Sequence, residues 1–189
     1  VPFHAVSPTN HWALCARAYL DKYGVGEEQL GWVSVNARAN ASHNPNAIYN
    51  GRPLSIDDYL AARMISSPLR LFDCDSHIDG STAILISAKD AAKDCRNPPI
   101  HIEAMGMSMG AFGEGLHTGD FTMTPAEHCG TMLWNRTDMK PKDVQCAQIY
   151  DGFSIHVPIW LEAVQLCGRG EALAFIDGGA NTALDGKLP

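Results

Sequence analysis

Gln148-Ile149-Tyr150-Asp151-Gly152-Phe153-Ser154 is the stretch whose reading decides the fold. It closes an apolar run at 144–149 and opens a helical pattern at 155–166. A strand that ends in a polar ring just before a helix start puts that ring where α/β proteins place their chemistry. Further on come Cys167-Gly168-Arg169-Gly170-Glu171 and Phe175-Ile176-Asp177-Gly178-Gly179, two glycine-rich turns flanking a short apolar segment.

Working outward, the composition narrows the class. The chain has 189 residues, enough for one good core or two small ones, and its 46% apolar content is ordinary for a globular protein. No apolar stretch approaches the roughly 18 residues of a membrane helix, and no secretory signal opens the sequence. A net charge of −7 with 14 unclustered Lys and Arg argues against a nucleic-acid surface. An anionic small-molecule ligand is not excluded, because backbone amides can hold it locally. Six cysteines lie at wide spacing with no Cys-x-x-Cys pair, which speaks against zinc and suits free thiols in a reducing cytosol. A cytoplasmic setting is the expectation.

Helices are expected first. Thr9 or Asn10 caps one that carries Leu14, Ala18 and Tyr19 to Gly24. Leu30, Val33, Ala37 and Ala41 mark a second, broken at Asn44-Pro45, and Ser55-Ile56-Asp57-Asp58 opens a third that carries Tyr59, Leu60 and Met64 toward Pro68. The Asn-, Pro- and Gly-rich stretch 43–53 reads as an exposed loop. The β-branched run 81–87 is expected as a strand covered on both faces, as is 144–149, and 100–105 alternates as a further strand. Between them, 89–94 suggests a short helix and Arg96-Asn97-Pro98-Pro99 a linker. Thr124-Pro125-Ala126-Glu127 is a helix start, with a cap, a proline at the first position and a glutamate at the third.

Several constellations suggest chemistry, and each has a plainer explanation. The glycines from Gly106 to Gly115 follow an expected strand, but Leu116-His117-Thr118-Gly119-Asp120 is poor helix material, so a dinucleotide site is disfavoured. Met107 and Met109 suit an adaptable apolar substrate surface near a site mouth; ordinary loop packing is the alternative. Asp73-Cys74-Asp75-Ser76-His77 resembles a metal cluster in composition only, and reads as a solvated turn or Asx-cap. Cys74 has no basic neighbour in sequence to activate it. Among eight histidines, His156 stands out because it falls in the first turn of the helix after Tyr150. Tyr150 alone would suit a structural strand end with its hydroxyl in water.

The order of these motifs resembles the thiolase superfamily in its sterol-carrier-protein-type branch, which includes lipid-transfer-protein-like thiolases and steroid side-chain aldolases. Those thiolases usually carry His-Asp-Cys-Phe where this chain has Tyr150-Asp151-Gly152-Phe153. Asp79-Gly80 followed by Ser81-Thr82 is similar to their Asp-Gly-Ala-Ala strand entry. The resemblance implies a layered αβαβα fold, present in part: residues 1–95 as the end of one half with its loop region, and 96–189 as much of the second. It implies Tyr150 as the catalytic group, in the place where a His or Asn polarises the thioester carbonyl, with Met107, Met109 and His156 against the substrate. A phenol of ordinary pKa near 10 suits proton exchange with a hydroxyl better than Claisen chemistry.

The implied activity is therefore retro-aldol cleavage of a β-hydroxyacyl-CoA bearing a steroid side chain, with coenzyme A entering only as part of the substrate and no metal. A homodimer and an OB-fold partner with a zinc element are implied too. A sterol-carrier-type thiolase or acyltransferase is the nearer alternative, and a non-catalytic lipid-binding subunit the more distant one.

Overall fold

The structure, a computed structural model, describes residues 6–109 and 125–189. The expected cap at Thr124, the glycine-run residues 110–115 and the histidines His4 and His117 lie outside them.

Two long helices lead. Helix α1 (Pro8–Tyr23) begins at Ser7, whose hydroxyl accepts from the Asn10 N–H while the Asn10 side chain accepts from the Ser7 N–H. The cap expected at Thr9 or Asn10 is thus one turn earlier, with Asn10 as the reciprocal member of the box. The helix ends at Gly24, whose φ of 66° is the left-handed geometry that favours glycine. Helix α2 (Glu27–Ala41) starts at Gly26, whose N–H is held by Gln29 Oε1 at 2.6 Å. Helix α3 (Ile56–Ala61) has the Ser55–Asp58 capping box that the sequence suggested. It stops at Ala61, and Met64 belongs instead to β1 (Met64–Ser66), paired antiparallel with β2 (Leu69–Arg70).

After short 3-10 turns at Leu71–Asp73 and Ala91–Asp94 the chain reaches α4 (Ala126–Trp134), α5 (His156–Ala163) and α6 (Ala172–Ile176). The core draws Tyr19 and Leu20 from α1, Leu30 from α2, Ile155 and Ile159 from around α5, and Leu173 and Ile176 from α6. It therefore joins residues from both sides of 95/96. Leu14, expected on the inner face of α1, is half exposed, because the buried stripe runs through Ala13, Ala16 and Leu20.

The expected strands are corrected. Residues 81–87, 100–105 and 144–149 carry no ladder, and Ile84, Leu85 and Ile86 are 82%, 89% and 73% exposed. Ile100 and Ile102 are exposed as well. Their β-branched composition suits a pleated, covered surface, yet a strand also needs a neighbour in register, and no described residue supplies one. The third segment packs Val144, Ala147 and Ile149 against the core, and its Ala147 N–H donates to the Pro189 carbonyl at 3.0 Å.

Helices α4 and α5 approach so closely that a side chain at Gly130 would run into the Ala163 carbonyl, and Trp134 Nε1 donates to the Val164 carbonyl at 2.9 Å beside that contact. Gly130→Ala should force the helices apart and lower unfolding free energy by about 1–3 kcal/mol. Urea denaturation checks this; a change within ±0.5 kcal/mol would mean that the helices do not touch there.

Candidate functional site

Tyr150 stands at the end of the 144–149 segment with 67% of its surface exposed. Its ring stacks on that of His156, centroids 5.2 Å apart at 25°. His156 occupies the first position of α5 and is itself buried. Trp12 of α1 meets its ring edge-on at 4.1 Å and Phe153 at 5.6 Å. The sequence placed His156 in the first turn of the helix after Tyr150, as found, and the structure also brings the two rings into contact.

The Phe153 N–H donates to His156 Nδ1 at 3.1 Å. A nitrogen that accepts carries no proton, so the neutral ring keeps its hydrogen on Nε2. Burial pulls the His156 pKa down from 6.5 to about 4; the Asp75 charge opposes the shift and His11 reinforces it. This imidazole is thus a fixed neutral group at physiological pH, and an apolar platform for the tyrosine.

The turn bearing Tyr150 is clamped from the far side of the chain. The Asp75 N–H donates to the Gly152 carbonyl at 3.1 Å, the Ser154 N–H donates to the Asp73 carbonyl at 3.0 Å, and Cys74 pairs with Phe153 between them. Asp73, expected in a solvated turn, is 1% exposed. Tyr59 donates to both its carboxyl oxygens, at 3.0 and 2.8 Å, and the Arg70 N–H donates to Oδ2 at 2.7 Å. Burial raises its pKa, with the Arg70 N–H, Ser154 and Tyr59 hydrogen bonds working against that. Ser34 joins this buried network, its hydroxyl 3.1 Å from that of Ser154 and donating to the Phe72 carbonyl at 2.7 Å. The solvated reading does hold for Asp75, Ser76 and His77, which are exposed. Cys74 is no nucleophile: burial and then the Asp73 and Asp75 charges push its thiol upward.

Met107 and Met109 are 71% and 94% exposed. Met107 reaches α4, where its N–H lies 3.4 Å from the Met132 sulfur, and Gly106 packs against the Cys129 carbonyl. Sequence reasoning missed Trp12 and Asp73. Trp12 lies in an ordinary amphipathic helix 144 positions from His156. Asp73 offered no local signal: Leu71 ahead of it is itself exposed, and its partners Tyr59 and Ser154 lie elsewhere in the chain.

An apolar groove of about 490 Å³ lies on the other side of the turn, where Val33 and Asn36 of α2 face Ile149, Asp151, Leu184 and Leu188. Tyr150 does not line it.

The buried neutral histidine makes stability pH-dependent. An unfolded imidazole takes its proton near pH 6.5 and this one near 4. Between those values the unfolded chain binds more protons, so stability falls as pH drops through that window and is level in this respect above it. The full span is worth roughly 3 kcal/mol. In urea titrations from pH 7 to 4, wild type should lose stability relative to His156→Gln; a pH-independent difference would contradict the burial of a neutral ring.

Comparison with known proteins follows this geometry. Residues 114–189 match the thiolase C-terminal domain-like family. The whole chain is 34% identical to the 17-hydroxy-3-oxo-4-pregnene-20-carboxyl-CoA lyase of Mycobacterium tuberculosis, covering 50% of it. It is 32% identical to the steroid side-chain-cleaving aldolase of Thermomonospora curvata, covering 49% of that protein. The solved structure of the Ltp2-ChsH2(DUF35) aldolase superposes with a TM-score of 0.93 at 32% identity, over 100% of this chain and 50% of that one. The chain thus spans about half the length of the curated relatives it matches. Residues 114–189 thus correspond to a thiolase C-terminal-like domain, and the chain has the thiolase-like fold, similar to steroid side-chain aldolases and to sterol carrier protein 2.

Proposed function

We propose that this chain is part of a carbon–carbon lyase that performs retro-aldol cleavage of a β-hydroxyacyl-CoA bearing a steroid side chain. The observation that carries the reading is the position of Tyr150, two-thirds exposed on a clamped turn and backed by a neutral histidine, in a chain whose relatives include steroid side-chain-cleaving aldolases.

In the reaction, Tyr150 in its phenolate form takes the proton of the substrate's β-hydroxyl, either directly or as the last member of a proton relay. As the O–H electrons form the ketone C=O, the Cα–Cβ bond breaks and its electron pair moves onto the α-carbon, delocalised as the thioester enolate. Hydrogen-bond donors hold the enolate oxygen. Return of the proton to the α-carbon releases a short acyl-CoA, and the steroid leaves as a ketone. The sequence is redox-neutral and its protons balance, so it calls on no redox cofactor; coenzyme A arrives with the substrate. Met107 and Met109 offer adaptable apolar surface for the steroid, and His156 supports the catalytic ring.

The proposal extends to a two-half organisation divided at 95/96, a homodimeric core, and a partner protein with an OB fold and a zinc element. Support for a partner comes from the second component named in the Ltp2-ChsH2(DUF35) aldolase. A cytoplasmic location is consistent with cysteines that are all unpaired.

Tyr150→Phe tests the assignment in the complete assembly. It deletes one oxygen and leaves the ring, so stability should change by less than about 1.5 kcal/mol. Turnover of a β-hydroxyacyl-CoA should fall roughly 100-fold or more. An unchanged kcat would reduce Tyr150 to a structural ring.

A further inference from the structure

Tyr150 lies folded back across its own turn. A β-carbon at Gly152 would fall on the Tyr150 hydroxyl oxygen and on the two ring carbons nearest it. The glycine is therefore the clearance that lets the hydroxyl occupy its place.

Either the backbone or the ring would have to give way to an added methyl. The Gly152 carbonyl is tied to the Asp75 N–H, and the neighbouring Ser154 N–H to Asp73, whose carboxylate is itself held by Tyr59 and Arg70. Gly152 is buried as well. Tyr150, in contrast, is two-thirds exposed and free to turn about χ1 into solvent. The ring is the part that yields. We propose that Gly152 is a positioning residue for the Tyr150 hydroxyl, so that any side chain there swings the hydroxyl off the site while leaving the fold intact. The inference rests on the proposed role of Tyr150 in proton transfer.

The test is Gly152→Ala, alone and combined with Tyr150→Phe, in the complete assembly. The single variant should fold with an unchanged melting temperature, and its kcat should fall roughly 10- to 100-fold with little change in KM, as expected for a misplaced reacting group. In the Tyr150→Phe background the same substitution should have no further effect, since the hydroxyl is already gone. Full activity in Gly152→Ala, or an equal loss in both backgrounds, would overturn the proposal. Failure of Gly152→Ala to fold would overturn it too, because the bridged backbone rather than the exposed ring would then have yielded. A second readout does not depend on catalysis. The His156 ring protons lie under the Tyr150 face, so their NMR shifts should move downfield in Gly152→Ala; unchanged shifts would overturn the positioning even if Tyr150→Phe proved fully active and the aldolase reading fell instead.

Discussion

Two backbone hydrogen bonds, Asp75 to Gly152 and Ser154 to Asp73, hold together two parts of the chain some 80 residues apart, and the site depends on them. They act as a single antiparallel bridge, too short to persist in water on its own. What makes it persist is the burial of Asp73. An unsatisfied carboxylate there would cost several kcal/mol, whereas one that accepts from Tyr59 and Arg70 is held in a single orientation. Tyr59 is in turn fixed by packing over Gly31 of α2, where any side chain would run into its ring. The turn bearing Tyr150 is thereby referred through Asp73 to the first helices of the chain.

From that anchor the local chemistry follows. With Phe153 pinned, its N–H points at His156 Nδ1 and selects the tautomer. With His156 pinned beneath Trp12, its outer face becomes a flat support for the tyrosine. The result is an exposed phenol on rigid backing, which suits a group that must meet a bulky substrate and still present one oxygen reproducibly.

Local features of this architecture were legible in the sequence. The capping pattern at Ser55, the glycine stop at Gly24 and the proline-led start of α4 each depend on a few adjacent residues, and each is found where expected or within a turn of it. The place of His156 in the first turn of its helix was legible for the same reason, whereas the contact of its ring with Tyr150 was not. The strand expectations at 81–87, 100–105 and 144–149 failed on a non-local property: composition records a preference for a covered sheet, while a ladder needs a partner that the run itself cannot name. Asp73 was hidden for the same physical reason. Its environment is made by Tyr59, Arg70 and Ser154, and nothing in Asp73-Cys74-Asp75 shows that the first carboxylate turns inward while the third faces water.

The central claim is that this turn serves carbon–carbon cleavage by proton transfer rather than attack by a thiol. The direct measurement is product analysis of the complete assembly with a steroid β-hydroxyacyl-CoA, with and without added free coenzyme A. The account predicts one equivalent of ketone and one of shorter acyl-CoA per turnover, formed at the same rate whether or not free coenzyme A is present. Turnover that requires free coenzyme A and consumes it, leaving two thioester products, would contradict the account and assign the turn to thiolysis.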